Sequence, residues 1–288
     1  MEIKKKVSSA LSVLSPVLAT KIKFFMNFHR RLDLNSPKTL DEKIQWLTLN
    51  IYRDTPLVSK CADKYCVREY VQDCGCSEIL NELLFVWDKP EEIDWEALPK
   101  AFVIKCNHGC GYNLLCQNRD KLDLAQAKKQ LAKWYNEDYW KISAEIQYKP
   151  IPKKLICEKF IGDGKELIDY KIYCFDGVAR YVMVCVGREY GTPKFYFFDR
   201  DWNFCPLTKD GKQAPKDFYI EKPQNYDRMI QYADILSAPF PFVRTDLYDV
   251  DGHILFGELT FTPASGFDKN RLPETDALFG GLLDIGSL

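Results

Sequence analysis

The stretch PFVRTDLYDVDGHILFGELTFTPASGF, residues 241–267, predicts a β-hairpin that carries one acid on each strand. Polar and apolar side chains alternate along its first half, which is typical of a strand with one buried face. Asp246 shares a face of this strand with Arg244, and Glu258 lies in the return strand. Two carboxylates on a rigid sheet are a common means of holding Mg²⁺ against nucleotide phosphates. The hairpin is therefore the first candidate for a functional site.

The length of the turn decides whether the two acids meet, because a shift of one residue moves every side chain of a strand to the other face. A two-residue turn at 251–252 would place Glu258 on the face opposite Asp246. A three-residue loop over residues 250–252 instead pairs Arg244 with Glu258 and gathers the charges on one face. We predict the three-residue loop for this reason. A surface hairpin with solvated charges is the alternative.

Composition limits the class of protein. The chain has 288 residues, of which 46% are hydrophobic, enough for one large domain or two modest ones. Its 40 basic and 41 acidic residues balance, so we expect no nucleic-acid partner. The 11 cysteines lack the doubled C-x-x-C spacing of structural zinc sites. We expect all of them to be reduced thiols, which indicates a cytoplasmic protein.

The N-terminal segment, residues 1–28, has a basic start and some apolar content. Serines and Pro16 interrupt it and no convincing cleavage site follows, so we expect neither a signal peptide nor a membrane-spanning helix. The favoured interpretation is a helix packed on its own domain. The alternative is an interfacial helix in peripheral contact with a membrane, with Lys4–Lys6, Lys21 and Lys23 on its polar side.

The order of predicted elements indicates an α+β fold. Residues 1–90 are mainly helical, and Thr39, followed by acids, caps the start of one helix. A strand at 101–105 runs into a loop with two glycines, and a polar helix at 123–139 follows. Strands dominate from residue 154 onward, with one further helix before the hairpin. The predicted divisions are a helical N-terminal region (1–95), a first lobe (96–160) and a second lobe with the hairpin (161–288).

A second candidate site is the loop KCNHGCGYN, residues 105–113. Gly109 and Gly111 allow backbone N–H groups to approach phosphate oxygens, and Lys105 supplies a compact positive charge. The loop is not a P-loop, because no G-K-[ST] opens a helix. His108 is a candidate to contact a phosphate oxygen or to act as an acid or base. A hydrogen bond that stabilises the loop is the alternative for this side chain.

Four further blocks stand in order with the loop and the hairpin: SPKTLDEKIQWL, ADKYCVREYV, ICEKFIG and DYKIYCFDG. Together the six blocks, which cover residues 38–267, resemble the ATP-grasp superfamily. Within it they look closest to the TupA-like branch, which is found with bacterial polysaccharide and teichuronopeptide biosynthesis. The resemblance implies an ATP-grasp fold, in which two α+β lobes enclose ATP, preceded here by a mainly helical region.

The resemblance also assigns nucleotide contacts to matching residues. In ATP-grasp enzymes a lysine in a D-K segment and a second before the glycine-containing loop contact the phosphates and offset their charge. These lysines match Lys64 and Lys105. A hinge strand of the E-x-F-I type presents its backbone to adenine, and its matching residues here are Glu158, Lys159 and Ile161.

Three further contacts are expected downstream of the hinge. The acid that binds the ribose hydroxyls matches Asp169, with Glu166 as the second candidate. Lys171 is expected to reach the triphosphate, and an exposed strand face is the alternative for it. Arg188 is a candidate for substrate contact, with a plain surface position as the alternative.

The R-x-D and E-x-N pair that ligates Mg²⁺ in the family matches Arg244, Asp246 and Glu258. Thr260 stands in place of the usual asparagine, and its hydroxyl is a weaker, neutral ligand. The usual closing P-G pair is also interrupted, at residues 263–266. The resemblance gives Arg244 one of two roles: to stabilise charge on the transferred phosphoryl group or to hold Glu258 in place.

The implied activity is that of an ATP- and Mg²⁺-dependent carboxylate–amine ligase that works through an acyl phosphate. The implied acceptor is a sugar or polysaccharide precursor, such as a uronic acid amidated with an amino acid. Three alternatives stay open: a sugar or polysaccharide kinase, a glycosyltransferase and a binding module without turnover. A stable phosphorylated product that forms without an amine favours the kinase, and affinity for a nucleotide-sugar favours the glycosyltransferase.

Overall fold

Helices make up most of the N-terminal part and flank two sheets. The computed structural model describes residues 2–162, 167–187 and 191–286. Its α-helices are α1 (Glu2–Leu14), α2 (Pro16–Phe28), α3 (Leu40–Asn50), α4 (Pro56–Ala62), α5 (Val67–Asp73), α6 (Leu124–Asn136), α7 (Tyr139–Ser143), α8 (Lys209–Lys212), α9 (Tyr226–Ser237) and α10 (Pro273–Leu282). Short 3-10 helices lie at Tyr52–Asp54, Ser77–Ile79, Pro90–Glu92, Arg119–Lys121, Ile146–Tyr148 and Pro263–Gly266.

The strands form two antiparallel sheets. They are β1 (Leu83–Trp87), β2 (Phe102–Cys106), β3 (Asn113–Cys116), β4 (Leu155–Lys159), β5 (Asp169–Phe175), β6 (Val178–Val186), β7 (Lys194–Asp199), β8 (Phe204–Cys205), β9 (Phe242–Val250) and β10 (His253–Thr260). The first sheet has the order β1-β4-β2-β3 and the second the order β10-β9-β5-β6-β7-β8. All paired neighbours in both sheets are antiparallel.

Local sequence signals set several of these elements. Thr39 caps α3 as predicted, and the side chain of Glu42 returns a bond to the Thr39 backbone, so the pair forms a capping box. The predicted polar helix is α6, with Asp123 as its N-cap. The predicted strand before the glycine-containing loop is β2. The predicted α+β composition with a helical N-terminal part is confirmed.

One strand was missed in the region predicted to be mainly helical. The run LLFVW forms β1 and pairs with β4, so the four-stranded sheet uses a strand that precedes residue 96. Its apolar and aromatic composition, followed by Asp-Lys-Pro, is a strand signal that was available in the sequence. The division boundaries at 95/96 and 160/161 stay predictions.

Each sheet has its own hydrophobic core. The larger core covers the six-stranded sheet and is closed by α3, α4, α5, α9 and α10. Phe242 and Phe279, both fully buried, contribute to an aromatic cluster at its centre. The smaller core lies between the four-stranded sheet and α6, where Phe102 and Leu131 are fully buried. Two separate cores leave room for a cleft between the sheets.

The predicted three-residue loop of the hairpin is wrong. Val250 pairs with His253, so only two residues form the turn. Asp251 and Gly252 both have positive φ, 50° and 80°, as a type I′ turn requires. This turn joins antiparallel strands without splaying them, because its twist matches theirs.

Asp246 and Glu258 nevertheless lie opposite each other, because a β-bulge in β10 shifts the pairing with β9 by one residue. The regular ladder ends where Phe256 pairs with Leu247, and the next pair is Glu258 with Asp246. Gly257 is the extra residue of the bulge and has no partner in β9, so the register shifts by one residue from Glu258 onward. This register puts both acids on one face, as predicted, but the predicted pairing of Arg244 with Glu258 is wrong, because Arg244 pairs with Thr260.

Among the residues described, there is no helix of the length and apolar character that crossing a membrane requires.

Candidate active site

A cleft of about 450 Å³ is lined by residues of both sheets. The predicted site residues that line it are Lys64, Lys105, Gly111, Glu158, Ile161, Asp169, Lys171, Arg244, Asp246 and Glu258. Lining residues that the sequence did not indicate include Met183, Phe195, Asp268 and Asn270, and the hairpin adds Tyr248 and Phe256. No local motif marks Met183, Phe195, Asp268 and Asn270, because they reach the cleft from strands and loops outside the six sequence blocks.

A buried charge cluster occupies the wall formed by the six-stranded sheet. Lys171 of β5 lies directly opposite Asp246 of β9 in the ladder. Its ammonium lies 2.6 Å from a carboxylate oxygen of Asp246 and 2.6 Å from one of Asp169. Arg244 holds the same Asp246 carboxylate in two places, through Nε at 2.6 Å and a terminal nitrogen at 2.7 Å. Asp246 is thus fixed between two cations, which is the kind of pairing that a buried carboxylate needs.

The ionisation of the cluster follows from these contacts. Burial disfavours the charge on Lys171, but Asp246 and Asp169 outweigh it and raise the pKa of the ammonium. Burial also raises the pKa of Glu258, yet Lys64, Arg244 and Lys171 together lower it to about 2. Glu258 is therefore an anion at neutral pH.

Thr260 orients Glu258. Its hydroxyl donates a hydrogen bond of 2.7 Å to Oε1 of Glu258 and accepts one of 3.1 Å from Arg244. Arg244 lies 3.5 Å from the same Glu258 oxygen. These contacts give the threonine a positioning role, and its role as a metal ligand stays a prediction.

The donor set of the hairpin fits Mg²⁺. Among the described residues, no group of three or more His, Cys, Asp or Glu side chains could hold a metal ion. Asp246 and Glu258 instead offer two hard carboxylate groups from paired positions of neighbouring strands. Mg²⁺ is usually held by one or two carboxylates together with substrate phosphates rather than by a cage of protein ligands.

The wall formed by the four-stranded sheet carries the predicted lysines. Lys105 of β2 lies 2.6 Å from Glu158 of β4, whose other carboxylate oxygen lies 3.2 Å from Arg68. The side chain of Glu158 therefore positions Lys105, a role that the sequence did not assign to it. Lys64 donates a hydrogen bond to the backbone oxygen of Gly109. Both lysines are thus held at the edge of the same cleft.

Asn107 anchors the glycine-containing loop and was missed as a functional residue. Its amide nitrogen donates to Asp63 at 2.9 Å and to the carbonyl of Pro152 at 2.8 Å. Its amide oxygen accepts from the Lys154 backbone at 2.7 Å. A buried asparagine with these three bonds fixes the loop beside Lys64. The only signal in the sequence is its position, two residues after Lys105.

Four predicted site residues do not line the cleft: Thr260, which contacts Glu258, and His108, Gly109 and Lys159. Nε2 of His108 lies 3.2 Å from the Glu137 carbonyl oxygen, and the ring is buried, which lowers its pKa. This is the loop-stabilising alternative given for that histidine. Gly109 is packed against Tyr139, where an added Cβ would lie 2.8 Å from the ring. Lys159 is exposed and pairs at 3.6 Å with Glu82.

Glu166 and Arg188 lie outside the described residues.

The segment after β10 forms a left-handed turn at the mouth of the cleft. Ala264, Ser265 and Gly266 have φ of 51°, 57° and 70°, and Ala264 lines the cleft. The buried carboxylate of Glu145 accepts hydrogen bonds from Thr262 and from Ser265, the latter at 3.2 Å. These bonds explain how the interrupted P-G segment is held in an uncommon backbone conformation. Glu145 lies 117 residues from Thr262 along the chain, so no motif indicated it.

Paired lysines and paired carboxylates in one cleft between two sheets are typical of a site for a nucleotide and Mg²⁺. The chain matches the family model described as TupA-like ATPgrasp over residues 42–284. It therefore belongs to the TupA-like ATP-grasp family, and the predicted family and fold are confirmed.

Several solved structures are similar in fold. The D-alanine–D-alanine ligase from Bacillus anthracis complexed with ATP shares 16% identity at a TM-score of 0.47, over 78% of this chain and 63% of that chain. An N5-carboxyaminoimidazole synthase from Aspergillus clavatus in complex with ADP and 5-aminoimidazole ribonucleotide shares 14% identity at a TM-score of 0.40, over 70% of this chain and 44% of that chain. The ATP-grasp ligase PsnB complexed with a minimal precursor, Mg and ADP shares 12% identity at a TM-score of 0.41, over 83% of this chain and 65% of that chain. This chain spans less than two thirds of each of them, and no curated protein matches it.

Proposed function

We propose that this chain is an ATP- and Mg²⁺-dependent carboxylate–amine ligase. One observation carries the proposal: a single cleft brings Asp246 and Glu258 together with Lys64 and Lys105. Paired carboxylates suit a magnesium ion, and paired lysines suit the phosphates that such an ion accompanies. Family membership supports the same nucleotide.

The nucleotide would extend along the cleft from an apolar part to a charged part. Ile161, Met183 and Phe195 line the cleft and offer an apolar surface for the base. The hinge from Glu158 to Ile161 would present its backbone to the base, as the family resemblance implies. Asp169, at the start of β5, is the proposed contact for the ribose hydroxyls.

The charged part would carry the phosphoryl transfer. Mg²⁺, when bound at Asp246 and Glu258, would neutralise charge on the phosphates. Arg244 and Lys171 hold Asp246 in position, so the carboxylate does not need to reorganise. Lys64 and Lys105 would offset phosphate charge from the other wall.

In the proposed reaction a substrate carboxylate attacks the γ-phosphate, which releases ADP and forms an acyl phosphate. An amine then displaces phosphate and leaves an amide. The acceptor is proposed to be a uronic-acid carboxyl of a bacterial surface polysaccharide precursor, joined to an amino acid. The association of the TupA-like branch with bacterial polysaccharide and teichuronopeptide biosynthesis supports this substrate class. Asp268 and Asn270, which line the same cleft, could bind hydroxyl groups of a sugar.

ATP as a substrate and the thiol state support a cytoplasmic location. All of the cysteines, which lie within the described residues, are free thiols.

The test is substrate-dependent release of ADP and phosphate by the purified chain, with a panel of uronic acids paired with amino acids. Product mass separates an amide from a phosphoester. A stable phosphoester formed without an amine would move the assignment to a kinase. Absence of ATP binding, with affinity for a nucleotide-sugar instead, would move it to a glycosyltransferase.

The matched variants are Glu258→Gln and Glu82→Gln. Glu258→Gln removes a charge from the cleft, and we expect turnover to fall by about 10²–10³-fold. Glu82 is exposed and its carboxylate lies 3.6 Å from Lys159, so Glu82→Gln should leave turnover unchanged. Equal turnover in the two variants would contradict the site.

A further inference from the structure

The outward side of α2 is apolar. Val17, Leu18, Ile22, Phe25 and Met26 are exposed and recur at helical spacing on one side of the helix. Phe25 is 53% exposed and Met26 64%. The end of α1 adds Leu14, which is 83% exposed. We call this set of six side chains the α2 apolar face. Contiguous exposed apolar surface of this kind marks an interaction site.

The opposite side of α2 faces the protein and carries polar groups. Lys23 donates a hydrogen bond to the Ile142 carbonyl, and burial lowers its pKa to about 8. Thr20 is buried on the same side, together with Ala19 and Phe24. In the alternative of an interfacial helix, Lys23 was placed on the polar side together with Lys21, but Lys23 faces the protein whereas Lys21 is exposed. The helix docks on the protein through a side that contains a desolvated lysine and leaves its larger apolar side in solvent.

The charge of this region is unlike that of the rest of the chain. Residues 1–32 contain seven of the 40 basic residues and one of the 41 acidic residues. The remainder therefore carries 33 basic and 40 acidic residues. Lys23 faces the protein and Arg30 is paired with Glu42, so the basic residues left for a partner are Lys4–Lys6, Lys21 and Arg31. A basic segment with an exposed apolar face is complementary to an anionic lipid surface.

A single lysine on the apolar side distinguishes lipid from protein as the partner. Lys21 is exposed among the apolar residues of α2. Lysine is depleted from the cores of protein interfaces, because its charge would be desolvated there. At a bilayer surface its long side chain can reach the headgroups while its neighbours enter the acyl region.

We propose that the α2 apolar face binds the surface of an anionic lipid bilayer. The face enters the headgroup boundary in the plane of the membrane, and basic residues of the same segment contact anionic headgroups. This contact holds the catalytic cleft near a membrane without a spanning helix. The proposal does not depend on the ligase assignment.

The test is co-sedimentation of the full chain with vesicles of phosphatidylcholine, with and without phosphatidylglycerol. We expect binding to the anionic vesicles that weakens at high salt. The double variant Phe25→Ser/Met26→Ser should reduce that binding by at least about tenfold, because two large apolar side chains no longer leave water. ATP turnover in the absence of vesicles should be unchanged in this variant.

The matched control is Leu115→Ser, which removes an apolar side chain that is 67% exposed on β3. It should bind vesicles as the native chain does, and circular dichroism melting should show all variants folded. Vesicle binding that is equal in the double variant and the native chain would overturn the proposal. A dimer of the native chain in sedimentation equilibrium, lost in the double variant, would also overturn it by assigning the face to a second copy.

Discussion

We predict that the β-bulge at Gly257 positions Glu258. Adding a single methyl group at Gly257 tests this prediction. A Cβ added at this residue would lie 2.9 Å from the Asp246 carbonyl oxygen and 3.0 Å from a ring carbon of Tyr248. Gly257 does not have a positive φ, so alanine is allowed by the backbone and the conflict is only steric. Gly257→Ala must therefore move β10 away from β9 at the point where Glu258 begins.

The size of the effect follows from the two contacts. Relief requires a shift of a few tenths of an ångström between β10, which is the edge strand of its sheet, and β9, which is paired on both sides. Overpacking of this kind costs about 1–3 kcal/mol of unfolding free energy. The adjacent Glu258 shifts with the strand, and a misplacement of about 1 Å in a catalytic group can cost about 10²-fold in rate. We expect turnover of Mg-ATP to fall by about 10–10²-fold in Gly257→Ala.

Urea unfolding and ADP release measure the two effects separately. Gly281→Ala is the matched control, because a Cβ at Gly281 meets no atom of the described residues within 4 Å and the residue lies in α10. It should be neutral or should stabilise the fold by about 0.5–1 kcal/mol, with unchanged turnover. If Gly257→Ala matched this control in both measurements, the bulge would not position Glu258, and the argument from register would fail.

Three further predictions concern buried charges. Lys171→Met leaves two buried carboxylates without one of their cations and should cost about 3–5 kcal/mol in urea unfolding, so a loss below about 1 kcal/mol would contradict the charge cluster. Lys23 has a pKa of about 8 in the fold against 10.5 in the unfolded chain, so the unfolded chain binds more protons between these values. Stability should therefore gain a component as pH rises from 8 toward 10.5, and Lys23→Met should lack it in unfolding experiments over that range. Glu145→Gln keeps one oxygen that accepts from Thr262, and the Ser265 hydroxyl can accept from the new amide nitrogen, so stability should change little. Glu145→Ala removes both partners and should cost about 1–3 kcal/mol, and equal melting curves for the two variants would refute this role.

Much of the fold could be predicted because its signals are local. The capping box of α3 lies within residues 39–42, and it formed where the sequence indicated. The alternation along β9 marked a strand with a polar face, and that face carries Arg244 and Asp246. Such signals depend on neighbours a few residues away, so tertiary packing does not need to be known.

The family resemblance placed most of the candidate site as well. Ten of the predicted positions line one cleft, although their roles there stay predictions. His108 and Lys159 do not line the cleft. His108 lies in the glycine-containing loop and Lys159 at the end of β4, and the motif does not show which side of the loop or of the strand faces the cleft. His108 turns toward Glu137, on a segment that the motif does not include.

The sequence by itself determined the α+β composition, the family and the two acids of the hairpin. The tertiary structure alone decided how those acids meet, since the turn and the bulge each shift the register by one residue and only the complete ladder shows both. It also decided that Glu158 holds Lys105, that Glu145 holds the closing turn and that α2 presents an apolar side to solvent. These features join residues far apart in the chain. Their energies come from packing and desolvation in three dimensions, which no local pattern of residues encodes.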